Sequence, residues 1–340
     1  MSEVRGVDPA PAGSAGTTRH GTLDDMTSPP RQNDRLPNDR LLNDRLPEDR
    51  LQYHRLGRIA RGGWWRPVAG TVLVVVGWAG LQGLLLGLVD VVAGVSGQPP
   101  AADGTASVGA LGDLAVAFLS VALLLPVVLL AARWTQARSP GTLSSVTGRL
   151  RWRWLLRCLP VATAAAVVVL GGFVGLAAVT GADTGLGGPL AGWPSFLAAA
   201  LVLILVVPVQ AAAEEYAFRG WLLQAVGGFV RRPWLPIAVQ AVLFAAVHGW
   251  GTPWGFADLV VFAVAAGVLT VRTGGLEAAV ALHLATNLGA GLTAAVFGQL
   301  SVDETAADAP WQLVLLDLPV MLAYTLVVLG MHRRARTTAA

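Results

Sequence analysis

The chain has 340 residues, of which 54% are hydrophobic and only 13% charged, and its mean hydropathy is +0.59. That composition is too apolar and too poor in charge for an ordinary soluble domain, and it identifies a polytopic membrane protein in a lipid bilayer. The formal net charge of +3 gives no ground for nucleic-acid binding, because the arginines fall in short loops where membrane topology places them, and the single cysteine, Cys158, excludes an internal disulfide framework or a cysteine-rich metal site.

Residues 1–63 are rich in Asp, Arg, Asn, Pro and Gly and cannot bury enough apolar area to offset their ordering entropy, so a disordered tail is expected there. A five-residue repeat runs through it, from Asn33-Asp-Arg-Leu-Pro to Glu48-Asp-Arg-Leu-Gln, and decays at Tyr53-His-Arg-Leu-Gly. A period of five fits neither helix nor strand and is too short for a solenoid unit. No apolar run precedes the repeat, so no cleavable signal peptide is expected.

From Trp64 the chain becomes a series of apolar runs of roughly bilayer-spanning length, at about 68–95, 107–132, 154–180, 195–218, 234–250, 255–272, 276–297 and 311–331. The expected fold is therefore all-α, with about eight transmembrane helices in a membrane domain over 64–336. The fifth run is the shortest. Every second loop is basic: Arg58, Arg61 and Arg66 precede the first run, Arg133 to Arg157 follow the second, Arg231 and Arg232 the fourth, Arg272 the sixth, and Arg333, Arg334 and Arg336 the last. The intervening loops carry Asp103, Asp183, Asp303, Glu304 and Asp308 without Lys or Arg. The positive-inside bias then puts the protein in the cell membrane with both termini cytoplasmic. The stretch from Thr142 to Trp154 alternates Arg with Leu or Trp, which suits a surface-lying segment against anionic headgroups.

Few ionisable residues remain inside the runs. Asp90, Asp113, Asp258, Arg272 and Glu277 lie near run ends, where snorkelling or interfacial solvation accounts for them, and Asp317 lies deeper, where it can bond a neighbouring helix. The adjacent pair Glu214-Glu215 sits inside an apolar run, where a carboxylate costs at least ~3 kcal/mol and faces a protein interior or a wet cavity. Glu215 and Arg219 are four apart and face each other on a helix, a structural pair. Glu214 points about 100 degrees away and is the freer carboxylate. Burial favours its neutral acid and a nearby cation its carboxylate, a competition that can poise a general base. Phe244 and His248, and His283 and Asn287, repeat the four-residue spacing on two further helices.

Depth along the helices tests whether these groups can meet. If the fourth and fifth runs turn at Arg231-Arg232-Pro233, Glu214 and His248 both lie about 25 Å from the turn and are level. His283 lies only about 15 Å past the Arg272-Thr273-Gly274 turn, a mismatch of about 10 Å. Helix tilt, kinks at Pro208 and Pro236, or a surface-lying stretch from Gly220 to Val230 can each close that gap.

Glu214-Glu215-x-x-x-Arg219, Phe244-x-x-x-His248 and His283-x-x-x-Asn287 resemble, in order and character, the motifs EExxxR, FxxxH and HxxxN of the CPBP family, the type II CAAX prenyl endopeptidases and bacteriocin-processing or immunity proteins also called Abi. The resemblance covers about residues 195–300 and departs from none of the three motifs. It implies an intramembrane endopeptidase acting on a membrane-associated peptide or protein, with Glu214 and His248 activating a water, His283 and Asn287 forming an oxyanion site, and Glu215, Arg219 and Phe244 in support. Such a protein is a hydrolase of the protease class. If a metal such as zinc is bound, Glu214, His248 and His283 make the ligand set; the glutamate-activated water is the favoured reading, since the chain has no HExxH. The alternatives are a non-catalytic scaffold or a bacteriocin self-immunity protein of the same fold, and a secondary transporter, which the lack of an inverted repeat disfavours.

Overall fold

The computed structural model describes residues 52–59, 63–101, 103–181, 189–300 and 305–337, and the expectation of a disordered tail over residues 1–51 lies outside them. Among the described residues the chain is a bundle of helices with no strand beyond a single bridge between Ser145 and Gly275. The helices are α1 (Trp65–Ser96), α2 (Ala110–Ala122), α3 (Leu124–Trp134), α4 (Trp152–Thr180), α5 (Trp193–Glu215), α6 (Leu223–Gly227), α7 (Trp234–Val247), α8 (Pro253–Thr273), α9 (Glu277–Val296) and α10 (Trp311–Thr337). A π-helical stretch, Tyr216–Leu222, joins α5 to α6 without a break.

Seven of these stretches are long and apolar enough to cross a bilayer, with α2 and α3 forming one and α5 to α6 another. The eighth expected span, α7, has only 14 residues. At ~1.5 Å per residue it reaches about 21 Å, short of a ~30 Å hydrocarbon core. The protein is thus an all-α, multi-pass membrane protein. Leu84, Val95, Val179 and Leu205 on its outer surface are strongly exposed, as side chains facing lipid are.

α9 is the central element, packed against α4, α5 and α8. Its first seven residues, Glu277 to His283, are all buried, so the helix begins fully enclosed rather than with one face to the outside. α8 ends because Gly274 takes a left-handed φ of 74°.

The segment after α3 departs from the expected surface-lying strip. Thr142, Leu143, Ser144 and Ser145 are buried and fold back into one end of the bundle. Val146 N–H donates to Gly274 O at 2.9 Å and Leu276 N–H to Ser144 O at 2.9 Å. Gln224 Nε2 donates to Thr142 O at 2.9 Å, and Arg138 donates to Thr142 Oγ1 at 3.0 Å and to Gln224 Oε1. Burial pulls the Arg138 guanidinium down to about 10, which leaves it charged at neutral pH. Two serines, a threonine and a leucine are short or apolar enough to be enclosed once their backbone groups are paired, whereas the arginines that follow stay at the edge.

The polar preface also ends earlier than residue 63. Tyr53–Ile59 form a 3-10 helix on α6, with Tyr53, His54 and Leu56 buried. The Tyr53 hydroxyl donates to Leu143 O, and burial holds that phenol well above its ordinary range. Two glycines allow this contact: a Cβ on Gly57 would lie 2.4 Å from Gln224 O, and one on Gly227 2.0 Å from His54 O. The tail resemblance of this pentapeptide to the repeat concealed two apolar anchors, Tyr53 and Leu56, three residues apart on one helical face.

Candidate functional site

The last turn of α5 and the second turn of α9 face each other in antiparallel register. Asn287 Nδ2 donates to Gln210 Oε1 at 3.1 Å, and one turn along each helix His283 Nε2 lies 3.3 Å from Glu214 Oε2. Both steps are four residues, so two polar rungs stack along one seam. The π-helix follows directly, and the pair expected at four-residue spacing is present: Arg219 Nη1 donates to Glu215 Oε1 at 3.0 Å with both side chains fully enclosed.

His283 ties the two glutamates together. Its Nδ1 is 2.8 Å from Glu215 Oε1, so this nitrogen carries the proton and donates to the carboxylate. Its Nε2 faces the carboxylate of Glu214, a contact balanced only if that nitrogen is also protonated or Glu214 is. With His283 as imidazolium, two carboxylates face one imidazolium and one guanidinium, and the cluster is neutral. That balance lets four ionisable side chains share an interior where an unpaired charge is costly.

Aromatic rings close one side. The Arg219 guanidinium lies 4.2 Å from the centre of the Phe244 ring and 5.4 Å from that of Phe262. Phe244 and Phe262 also stand edge-on to the His283 ring, at 6.1 and 5.3 Å. Such faces attract a desolvated cation and spare Arg219 some of the loss from its unpartnered Nε and Nη2.

His248 stands apart from the polar cluster. It caps the C-terminus of α7, and its ring lies 4.6 Å from that of Phe244. Its Nδ1 is 2.8 Å from Phe244 O, so Nδ1–H donates there and Nε2 keeps a lone pair. Thr305 Oγ1 donates to His248 O at 3.1 Å. No hydrogen bond or ion pair joins His248 to Glu214 among the described residues; Phe244 touches both His248 and Arg219.

The mismatch expected at His283 is not found: its ring nitrogens lie 3.3 and 2.8 Å from Glu214 and Glu215. The turn before α9 is enclosed by protein, with Thr273, Gly275 and Leu276 buried and the 142–146 segment bonded to Gly274 and Leu276.

The structure therefore brings together Glu214, Glu215, Arg219, Phe244 and His283, with Asn287 one turn away and His248 against the Phe244 ring. Two participants escaped the sequence reading. Gln210 was signalled as a polar residue one turn before Glu214, whereas Phe262 had no mark beyond its aromatic ring. Glu277, read as a snorkelling end residue, is instead fully buried: both its oxygens accept from Arg151, at 2.9 and 2.6 Å. Asp317 lies close enough to Asp258 on α8 for the two carboxyl groups to interact.

The suggested metal-ligand set of Glu214, His248 and His283 does not converge. No group of three His, Cys, Asp or Glu side chains among the described residues is arranged to hold a metal ion. Both His283 nitrogens already face carboxylates, and His248 Nδ1 is held by a backbone carbonyl. The residues present do not fit a three-ligand metal site.

Residues 193–289 match the family described as type II CAAX prenyl endopeptidase Rce1-like, an interval that contains all three motifs and both polar rungs. The uncharacterized protein YyaK of Bacillus subtilis (strain 168) is 35% identical over 98 residues, covering 27% of this chain and 32% of that relative. The chain thus spans about a third of the length of the curated relative it matches. No solved structure matches. Over 193–289 the chain carries the Rce1-like sequence that its motifs suggest, within a multi-pass membrane protein.

Proposed function

We propose that this protein is an intramembrane endopeptidase that hydrolyses a peptide bond of a membrane-associated protein or peptide, with Glu214 as general base. The carrying observation is the neutral four-residue cluster enclosed between α5, the π-helix and α9 inside the Rce1-like interval. In it Glu215 is committed to Arg219 and His283, while Glu214 has only the 3.3 Å contact to His283. It is the carboxylate with capacity for a proton.

A water held between Glu214 and the Nε2 lone pair of His248 would lose a proton to Glu214 as its oxygen attacks the scissile carbonyl carbon. Protonation of Glu214 removes the charge facing His283 Nε2–H, which then becomes free to donate to the developing oxyanion. Asn287 Nδ2 has a second N–H beyond the one given to Gln210 and supplies the other donor. Collapse of the intermediate breaks the C–N bond as Glu214 returns its proton to the leaving amine. No metal enters these steps. Glu215 and Arg219 hold His283 in position, and Phe244 separates the guanidinium from the attacking water. Positive-inside bias places the end of the bundle that carries the arginine-rich loops in the cytoplasm.

Comparative analysis of membrane peptides from cells with the parent protein and with Glu214→Gln, His248→Ala or Asn287→Ala tests this. Substrates should accumulate uncleaved in the first two, and Asn287→Ala should lower the rate about 100- to 1000-fold. Unchanged processing in Glu214→Gln sinks the hydrolytic reading in favour of a scaffold or immunity protein. Chelator added to the parent should leave cleavage intact.

A further inference from the structure

Gln52 and Arg336 line one cavity together with Thr147, Pro233 and Gly274, so both described ends of the chain and three of its connecting segments meet at one end of the bundle. The cavity has a volume of about 470 Å³, within the ~300–1,000 Å³ typical of small-molecule sites. Its wall carries three arginines and two histidines, Arg151, Arg272, Arg336, His54 and His332, and no Asp or Glu among the described residues.

The charges are not all spent on the fold. Arg151 is neutralised by Glu277, which takes Nε and Nη2 and accepts from the Arg151 backbone N–H as well. Arg272 and Arg336 are exposed and form no ion pair among the described residues. His54 is buried in the wall with Nε2 on Arg231 O at 3.1 Å. A concave site whose described residues supply two unpaired guanidiniums and no carboxylate suits an oxyanion that takes paired N–H donors, above all phosphate.

We propose that this cavity is a phosphate-binding site, held by Arg272 and Arg336 with Arg151 and the two histidines around them. It is separate from the Glu214 cluster and does not depend on proteolysis. Its position at the helix ends, on the arginine-rich face, favours the phosphodiester of an anionic lipid headgroup; a free phosphate presents the same chemistry.

Purified full-length protein in neutral detergent micelles is titrated separately with phosphatidylglycerol, phosphatidylcholine and inorganic phosphate, and binding is read from the thermal unfolding midpoint by tryptophan fluorescence. The parent is compared with Arg272→Gln/Arg336→Gln and with Arg133→Gln/Arg157→Gln, two exposed arginines outside the cavity. Phosphatidylglycerol should raise the midpoint of the parent and phosphatidylcholine should not. The Arg272/Arg336 pair should weaken the apparent affinity about tenfold or more, and the control pair should leave it unchanged. If inorganic phosphate alone gives the same variant-dependent shift, the site stands with a soluble phosphate as its ligand. Equal loss in both double variants, or no loss in either, overturns the proposal, as does a parent that responds to neither phosphate source. Neither variant pair touches a charge that another described residue neutralises, so both should fold.

Discussion

The adjacent glutamates should separate cleanly when each is neutralised in turn. Glu215→Gln keeps the shape of the side chain but removes the only carboxylate that Arg219 contacts. Arg219 cannot shed its proton, and its Nε and Nη2 already lack hydrogen-bond partners among the described residues, so a full charge would remain enclosed with no contacting carboxylate, facing the Phe244 and Phe262 rings and the more distant Glu214. Breaking a buried pair from one side costs about 3–5 kcal/mol. Glu214→Gln removes a charge whose one ion-pair contact among the described residues is His283 Nε2. The new amide can donate to or accept from the imidazole at Nε2, so the contact is replaced by a hydrogen bond. That change should cost about 1 kcal/mol, the value of one ordinary hydrogen bond. Unfolding in mixed micelles of increasing sodium dodecyl sulfate, followed by the fluorescence of the chain's 12 tryptophans, gives both numbers. The expected pattern is a crossed one: Glu215→Gln loses stability first, while Glu214→Gln stays folded and loses cleavage. Equal destabilisation by the two substitutions would refute the assignment of Glu215 to structure and Glu214 to chemistry.

Phe244 is fully buried and touches Arg219, His248, Phe218 and Phe262, so Phe244→Ala should cost about 3–5 kcal/mol by the same unfolding assay, and Phe244→Leu clearly less. Gly227→Ala would push a Cβ to 2.0 Å from His54 O and should lift the Tyr53–Ile59 helix off α6, which faster tryptic cleavage after Arg55 and Arg58 would report. Docking of the same helix should weaken in acid. Burial lowers the affinity of His54 for a proton from its ordinary 6.5, more than the Arg231 carbonyl raises it. The undocked segment therefore takes up a proton first, and docking stability present above 6.5 is lost as pH falls below it. Amide exchange over 53–59, corrected for its intrinsic pH dependence, should speed up between about pH 7.5 and pH 5.5 in the parent and not in His54→Gln.

Much of this molecule was legible because lipid leaves few options. Apolar runs fixed the helices, and in a chain only 13% charged each interior carboxylate had to have a partner. The four-residue spacings of Glu215 with Arg219 and of His283 with Asn287 put the right groups on shared faces. What hydropathy cannot see is where backbone polar groups are paid for by enclosure instead of water. The 142–146 segment reads as a loop because its residues are Thr, Leu, Ser, Ser and Val, yet Gln224, Arg138 and the Gly274–Leu276 backbone satisfy it inside the bundle.

That same enclosure is what forms the site. A depth count that starts every helix at the membrane surface puts His283 about 10 Å from Glu214. That gap is absent: His283 Nε2 lies 3.3 Å from Glu214 Oε2, the turn before α9 is held by the buried Ser145–Gly275 bridge, and Arg151, reaching Glu277 from the start of α4, ties that helix to the turn. The arginine-rich segment thus has two consequences at once. Its Ser145 holds the turn before α9, and its Val146, Thr147 and Arg151 line the basic cavity. Occupancy of that cavity and the position of His283 therefore share a mechanical element. Weakening it at Arg151→Gln should both lower cleavage and reduce the stabilisation by phosphatidylglycerol, whereas Arg272→Gln/Arg336→Gln should reduce only the second. A cleavage loss of the same size in that double variant would show that the two regions are not separable.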